Sequence, residues 1–439
     1  MSHACINSWN GNEPTLNRRD CLRWTALAAA GAMTGTARAA APTRAKPRVV
    51  IIGGGFAGSA CALRLRHLDP GIAVSLIDPV EHYTTCPMSN EVIAGLRQLT
   101  SITVSRQGLR RAGVSVIGDR VLGIDQARHR VRLSAGGALP FDRLVVAPGI
   151  RFLWDRIEGY DERASQGMPH AWKAGAQTTR LADQLHNMQD GGVVAISVPS
   201  GLVRCPPGPY ERASLIAHYL RRHKPRSKVL ILDANNSFPK QAQFTDAWST
   251  LYPGMIEWIA MTQDGTVLRV DVATMTLHTA ASAHRVAVAN VIPPQAPGEL
   301  APAAGLASDH GWCPITPGTF ESTLVPAVHV IGDACIADAM PKSASAAYSQ
   351  AQQCAGAIAS LLSGRDAPEP VFDSVCYSML EPARAIAFPG HFEVADGRIV
   401  AAGTTATVAA QALTPEVSAQ LSRDAERWYA DILAKAFAP

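Results

Sequence analysis

The sequence is short of several things, and each shortage removes a class of function. Across 439 residues there is no run of lysine and arginine and no interleaving of aromatic with basic residues. The net charge is only +4, so a nucleic-acid partner is not expected. No C-x-x-C spacing occurs and no histidines stand at metal-ligand spacing, which argues against zinc; no metal site is expected. C-x-x-C-H is absent too, so any haem must belong to another chain. No internal repeat or low-complexity segment stands out, and no apolar run is suited to a stable membrane span.

What is present begins with an export signal. "NRRDCLRWTALAAAGAMTGTARAA" carries Arg18-Arg19, a modest apolar stretch and an A-x-A site at Ala37-Arg38-Ala39. Residues 1–39 read as a Tat-type signal peptide, which predicts a periplasmic protein. Its removal takes Cys5 and Cys21 and leaves seven cysteines: Cys61, Cys86, Cys205, Cys313, Cys335, Cys354 and Cys376. An oxidising compartment permits a disulfide, and the odd count leaves at least one thiol for another role.

"RVVIIGGGFAGSACALRL" predicts a buried strand, a tight turn and a helix. Gly53, Gly55 and Gly58 form G-x-G-x-x-G, and Asp78 ends the next apolar run, "IAVSLID". Glycines at this spacing supply the tight turn, let a pyrophosphate reach the backbone and bring helix against strand; the acid is placed for a ribose hydroxyl. "FDRLVVAPG" and "VPAVHVIGDACIADAMPKSASAAYSQ" are the usual companions of this fingerprint in two-dinucleotide-domain flavoproteins. There the Asp of Gly332-Asp333 holds the ribityl chain, and the following helix start faces the flavin or pyrophosphate. Lys342 is expected near the flavin's pyrimidine edge, or as a solvated helix-start lysine. An FAD domain split over residues 45–155 and 290–362 follows.

Between its halves, residues 156–289 repeat the strand–turn–helix plan, with "KVLILD" ending in Asp233. The turn, however, reads "SVPSGLVRCPPGPYER": Cys205 with Pro206, Pro207 and Pro209 stands where glycines would. Proline rings crowd the helix start and donate no N–H, so this NAD-like domain is expected to lack a nucleotide site. Pro207 and Pro209 are suited to start the helix. A helix start and Arg204 would both favour a thiolate at Cys205. Glu211 is either a proton carrier or an ion-pair partner of Arg212 or Arg204. Trp172 and His170 either pack near the flavin ring or belong to the core. Cys61 and Cys354 read as small core residues. Residues 363–439 change to strands, turns and a closing amphipathic helix, a small C-terminal interface domain. The fold class is α/β, two Rossmann-like dinucleotide-binding domains plus a small α+β domain.

The order "GGGFAG", "YTTCPMSNEVIAG", "HAWKAGAQT", "RCPPGPYERAS", "NVIPPQ", "GDACIADAMPKSASAAYSQ" and "CYSMLEP" resembles the flavoprotein subunit of flavocytochrome c sulfide dehydrogenase. The resemblance covers nearly the whole chain after the signal and implies a glutathione-reductase-type fold. It also implies FAD bound covalently through Cys86, a redox-active disulfide of Cys205 with Cys376, and Glu211 as an active-site acid. The implied activity is sulfide oxidation, a sulfide:cytochrome-c oxidoreductase whose partner is a c-type cytochrome subunit carrying haem c, in a heterodimer. Pro87 and Met88 after the attachment cysteine, and Cys335 beside Asp333, are local departures from the pattern. The alternatives are a sulfide:quinone oxidoreductase-like enzyme and a non-catalytic electron-transfer or sulfur-carrier subunit of a sulfur-oxidation complex.

Overall fold

The computed structural model describes residues 46–402 and 413–438, which form one compact unit from Lys46 onward. The predicted signal peptide lies outside the described residues. In chain order, β1 (Arg48–Ile52), α1 (Phe56–Leu68), β2 (Ala73–Ile77), β3 (Ser115–Ile117) and β4 (Arg143–Val146) begin the fold. They are followed by α2 (Ala176–Asn187), β5 (Val193–Val198), α3 (Gly208–His223), β6 (Lys228–Asp233), α4 (Gln241–Leu251), β7 (Ile256–Ile259) and β8 (Val288–Val291). The chain then forms β9 (Val328–Val330), α5 (Ala344–Leu362), β10 (Phe372–Glu381), β11 (Arg384–Ala395), β12 (Arg398–Ala401) and α6 (Pro415–Phe437).

Two parallel sheets carry the architecture. The first has the order β9-β4-β1-β2-β3, so the strand just before Gly332 returns to the sheet begun by the glycine fingerprint. Its strands are apolar on both faces because helices cover a parallel sheet; Val49, Ile51, Leu76 and Val145 are fully buried. α1 packs on α5 through small residues, with Ala60, Ala346, Ala351 and Ala355 all buried. The second sheet has the order β7-β6-β5-β8. It reaches Val291, two residues past the expected boundary, because β8 is its edge strand.

The C-terminal segment does form strands and a helix, with β10, β11 and β12 as an antiparallel meander. It shares the cores of both sheets instead of enclosing one of its own. Phe372, Tyr429, Ile432 and Phe437 join the core of the first sheet, and Leu380 and Ile386 join that of the second. α6 starts at Thr414, whose hydroxyl accepts the Val417 N–H at 3.3 Å. It ends with the Phe437 ring 5.2 Å from Phe56 at the start of α1.

Candidate active site

The fingerprint glycines do three different things. Gly53 has φ +94°, and a Cβ there would stand 2.2 Å from the Ala147 carbonyl oxygen. A Cβ at Gly58 would stand 1.9 Å from the Gly53 carbonyl oxygen, so only glycine lets α1 lie this close to β1. At Gly55 the nearest atom would be the Tyr83 hydroxyl at 3.7 Å; that face opens on the cavity. α1 starts there with no side-chain cap and no acid in its first turn. Its leading N–H groups are therefore available to an anion.

Asp78 lines the cavity and ties the loop, accepting the Gly54 N–H at 2.6 Å and the Val80 N–H at 2.8 Å. Arg106, buried to 1% exposure, lies directly beneath. It donates to Asp78 at 3.2 Å, to Ser59 Oγ and Val80 O at 3.3 Å, and to Gly54 O. The sequence reading missed it. Arg110 and Arg111 follow closely, and no spacing distinguishes the buried arginine from the solvated ones.

The cavity measures about 1350 Å³ and runs from the glycine loop to the thiols of Cys86, Cys205 and Cys376. It exceeds the roughly 300–1,000 Å³ of ordinary small-ligand pockets, as a dinucleotide requires. Gly332 and Asp333 line it as expected, Gly332 at φ +77°. The uncapped helix start, the open face at Gly55 and the acid at Asp78 fit the pyrophosphate and ribose of FAD. Trp428 of α6 and Tyr377 of β10, ring centroids 5.9 Å apart, also line the cavity; neither was singled out from sequence.

Cys205 occupies the turn between β5 and α3 at φ +54°, a conformation more usual for glycine. Its N–H donates to Lys342 O at 2.7 Å, and its carbonyl accepts the Gly208 N–H at 2.9 Å. Pro207 caps α3 and Pro209 lies in its first turn. Cys376 comes from the middle of β10. Both are free thiols in this structure, and both face the cavity. The expected thiolate bias at Cys205 is corrected. Burial pushes this thiol well up, Cys376, Glu211 and Cys86 push the same way, and only Arg204 opposes. The Arg204 guanidinium is engaged elsewhere, 3.8 Å from Asp333 and bonded to Trp172 O. Burial also raises Cys376, with Ser343 opposing.

Glu211 resolves differently from an ion pair. One carboxylate oxygen accepts Asn90 Nδ2 at 2.9 Å and the other accepts the Met379 N–H of β10 at 3.1 Å. Arg212 instead donates to Asn90, His170 O, Ala171 O and Asn290. Burial pushes the Glu211 carboxyl up to about 7, against the pull of those two hydrogen bonds. A cavity-facing acid that titrates near neutrality is suited to moving protons.

Cys86 lines the cavity, its sulfur 3.7 Å from Trp172 O. Trp172 also lines it, its indole N–H donating to Arg204 O at 3.2 Å and its face covered by Arg212 at 5.0 Å. His170 supports from behind: Nδ1 accepts the Trp172 N–H at 2.9 Å, and burial lowers its pKa to about 3. Lys342 is placed differently from the expectation of a flavin contact. Its ammonium donates to Asp333 O at 2.7 Å and Cys335 O at 2.9 Å, lies 3.9 Å above Trp312, and does not line the cavity. It braces the loop that carries Asp333. Cys335 points away too, donating to Gly332 O at 3.2 Å, and Cys313, Cys61 and Cys354 are core residues.

The second nucleotide plan is filled from within. Asp233, fully buried, accepts from the Tyr210 hydroxyl at 2.6 Å, Trp258 Nε1 at 2.8 Å and both nitrogens of Asn235. The Tyr210 ring stacks on Phe238 at 3.7 Å. No lone pair is left for a ribose. Among the described residues no group of acids, histidines and cysteines could hold a metal, and no helix is long and apolar enough to cross a membrane.

Comparison with known proteins agrees with this layout. Residues 178–293 match the family model "Sulfide dehydrogenase [flavocytochrome c] flavoprotein chain, central", and residues 368–437 match "Flavocytochrome c sulphide dehydrogenase, flavin-binding". Residues 47–186 match "Pyridine nucleotide-disulphide oxidoreductase". The chain is 53% identical over 45 residues to a flavocytochrome c sulfide dehydrogenase flavoprotein chain of Chlorobaculum thiosulfatiphilum, 10% of this chain and 94% of that sequence. It is 28% identical over 184 residues to the sulfide-quinone reductase of Aquifex aeolicus, 41% of each. It is 25% identical over 191 residues to the mitochondrial sulfide:quinone oxidoreductase of Dictyostelium discoideum, 43% of this chain and 42% of that one. The matched stretch thus spans about two fifths of these curated quinone reductases. Among solved structures, the Aquifex aeolicus sulfide:quinone oxidoreductase has a TM-score of 0.68 at 17% identity, over 90% of this chain and 93% of that one. Putidaredoxin reductase in complex with putidaredoxin has 0.62 at 18%, over 79% and 82%. These likenesses show the fold: two Rossmann-like domains of the pyridine nucleotide-disulfide oxidoreductase type.

Proposed function

Since this chain belongs to the family of flavocytochrome c sulfide dehydrogenase flavoprotein chains, we propose that it oxidises sulfide at Cys205 and Cys376 with FAD as cofactor. The observation that carries the reading is the convergence of these two thiols and Glu211 on the cavity lined by the glycine loop, while Tyr210 and Asp233 close the second nucleotide position.

In the resting enzyme Cys205 and Cys376 are joined as a disulfide. H2S enters and the Glu211 carboxylate takes one proton. The resulting HS⁻ attacks one sulfur; a new S–S bond forms as the old one breaks, leaving a persulfide on one cysteine and a thiolate on the other. Glu211 returns the proton to that leaving sulfur. Burial, which raises both thiols, favours this protonation, so no charge is left on the leaving sulfur and Glu211 is a carboxylate again. Gly53, Gly55, Gly58, Asp78, Gly332 and Asp333 would hold FAD, which supplies a two-electron oxidant able to release electrons singly.

Electrons leave to haem c on a separate cytochrome subunit in a periplasmic heterodimer. This rests on the missing C-x-x-C-H and the twin-arginine signal. A quinone acceptor is the second reading, motivated by the quinone reductase relatives. Against it, α6 turns Tyr429, Ile432 and Phe437 into the core. The deciding experiment is anaerobic. Sulfide should bleach the oxidised flavin rapidly in wild type and not in Cys205→Ser, and NADH should bleach neither. Rapid bleaching by NADH alone would refute the proposal. Reoxidation by a c-type cytochrome, compared with a soluble quinone, then separates the acceptors.

The flavin is held covalently through Cys86, a thiol at the cavity that shares no hydrogen bond with the other two. After acid denaturation the yellow fluorescence should stay on the wild-type polypeptide and be released from Cys86→Ala. Free flavin in the wild-type supernatant would exclude the attachment.

A further inference from the structure

We infer that Asn90 is a positioning residue that holds the Glu211 carboxylate toward the two thiols as a proton acceptor, its own amide fixed the right way round by Arg212. The inference deepens the proton-shuttle reading above and rests on it. Asn90 sits in the short helix Ser89–Ile93, is buried to 9% exposure and lines the cavity.

The orientation of its amide follows from chemistry. Arg212 Nε carries a hydrogen and can only donate; it lies 2.9 Å from Asn90 Oδ1. The Asn90 oxygen is therefore taken, and Nδ2 must face Glu211 Oε2 at 2.9 Å, with a second, longer contact to Gly208 O at 3.3 Å. The other Glu211 oxygen receives the Met379 N–H. Both oxygens are thus clamped by donors, one from the segment carrying Cys86 and one from the strand carrying Cys376. Each oxygen keeps a further lone pair, and Glu211 lines the cavity.

The charged neighbours pull in opposite directions. Glu91, on the same short helix as Asn90, raises the proton affinity of Glu211; Arg212, next along α3, lowers it. The Cys205 and Cys376 thiols face it from the turn and from β10. Burial pushes it up, and the Asn90 and Met379 donors pull it down. Removing the Asn90 amide removes one of the two donors. Arg212 stays in place meanwhile, because it keeps His170 O, Ala171 O and Asn290.

The test uses the flavin-loaded protein and two variants: Asn90→Ala, and Asn90→Leu, which keeps the volume filled should the smaller side chain unsettle the fold. Infrared difference spectra across pH would follow the protonated carboxyl band that Glu211→Gln abolishes. The wild-type midpoint should lie near 7, and both variants should move it upward by about one pH unit. The pH profile of sulfide-dependent flavin bleaching should move with it. A Glu211 band with the same midpoint in wild type and both variants would overturn the inference, whatever sulfide does. Failure of sulfide to bleach wild type would overturn the functional reading instead, and the band shift would still decide the role of Asn90.

Discussion

Glu211 has an environment that its sequence context does not show. Between a proline-rich turn and an arginine, it reads either as a proton carrier or as half of an ion pair; in the fold Arg212 turns away and two neutral donors take its oxygens. Its folded carboxyl, raised from 4.5 to about 7, binds a proton more tightly than the unfolded one. The stability this contributes is full below about pH 4.5 and is lost as pH rises through 7, a change on the order of 3 kcal/mol. Glu211→Gln cannot ionise and so lacks this dependence. Denaturant unfolding at several pH values should show the variant gaining on wild type from pH 5 to pH 8. A constant difference over that range would mean Glu211 titrates like a solvated glutamate. The cavity's glycines and cysteines were legible in the sequence because each is the one residue type its position tolerates or its chemistry demands. Asn90, Arg106 and Arg212 were not, since their roles come from partners far along the chain. For Lys342, spacing puts the residue near the site without saying that its ammonium turns to the Asp333 and Cys335 carbonyls.

At the scale of elements, legibility followed the periodicity of burial. "RVVII", "IAVSLI" and "VVAISV" are largely apolar runs, and each holds a mostly buried strand of a parallel sheet. The split of the first sheet around the second was readable because Gly332-Asp333 repeats the logic of a strand ending at a cofactor. The turn of the second sheet was readable for a different reason. Its prolines remove donors where a phosphate would need them, and Tyr210, at the end of the same motif, reaches 2.6 Å from Asp233. Motif and acid thus cancel the nucleotide site together, one by geometry and the other by occupying the carboxylate. What the pattern could not show is that Cys205 adopts φ +54°, as a glycine would. The turn thus takes a glycine-like backbone shape at a cysteine and presents its sulfur to the cavity of the other domain. β10 completes the arrangement. Its Val375 N–H bonds Ser345 Oγ on α5 at 3.0 Å and its Met379 N–H bonds Glu211 on α3, which fixes Cys376 between the two sheets.

For the whole molecule the decisive feature is where the C-terminal segment goes. An amphipathic helix announces that one face will be buried, but not against what, and an interface domain was the natural expectation from sequence. The apolar face of α6 instead closes the core beneath the glycine loop. Phe437 stands 5.2 Å from Phe56 and 5.6 Å from Tyr83, the residues on either side of the opening at Gly55. A Cβ at Gly108 would stand 1.9 Å from the Ala438 carbonyl oxygen, so the chain end is seated against the first domain's backbone. The Tyr429 hydroxyl lies 2.8 Å from Thr85 Oγ1, next to Cys86. The native flavin environment and the last helix should therefore be lost together. Phe437→Ala removes a fully buried ring, a change that typically costs about 3–5 kcal/mol. Its thermal midpoint should fall, and gel filtration of the mildly warmed protein should recover it with less tightly packed flavin, seen as raised flavin fluorescence. Ending the chain before Pro415 should leave a protein that does not hold the flavin in its native spectrum. Should that shortened chain keep both the wild-type midpoint and the wild-type flavin spectrum, residues 415–438 would be a separate appendage and no part of the first sheet's core.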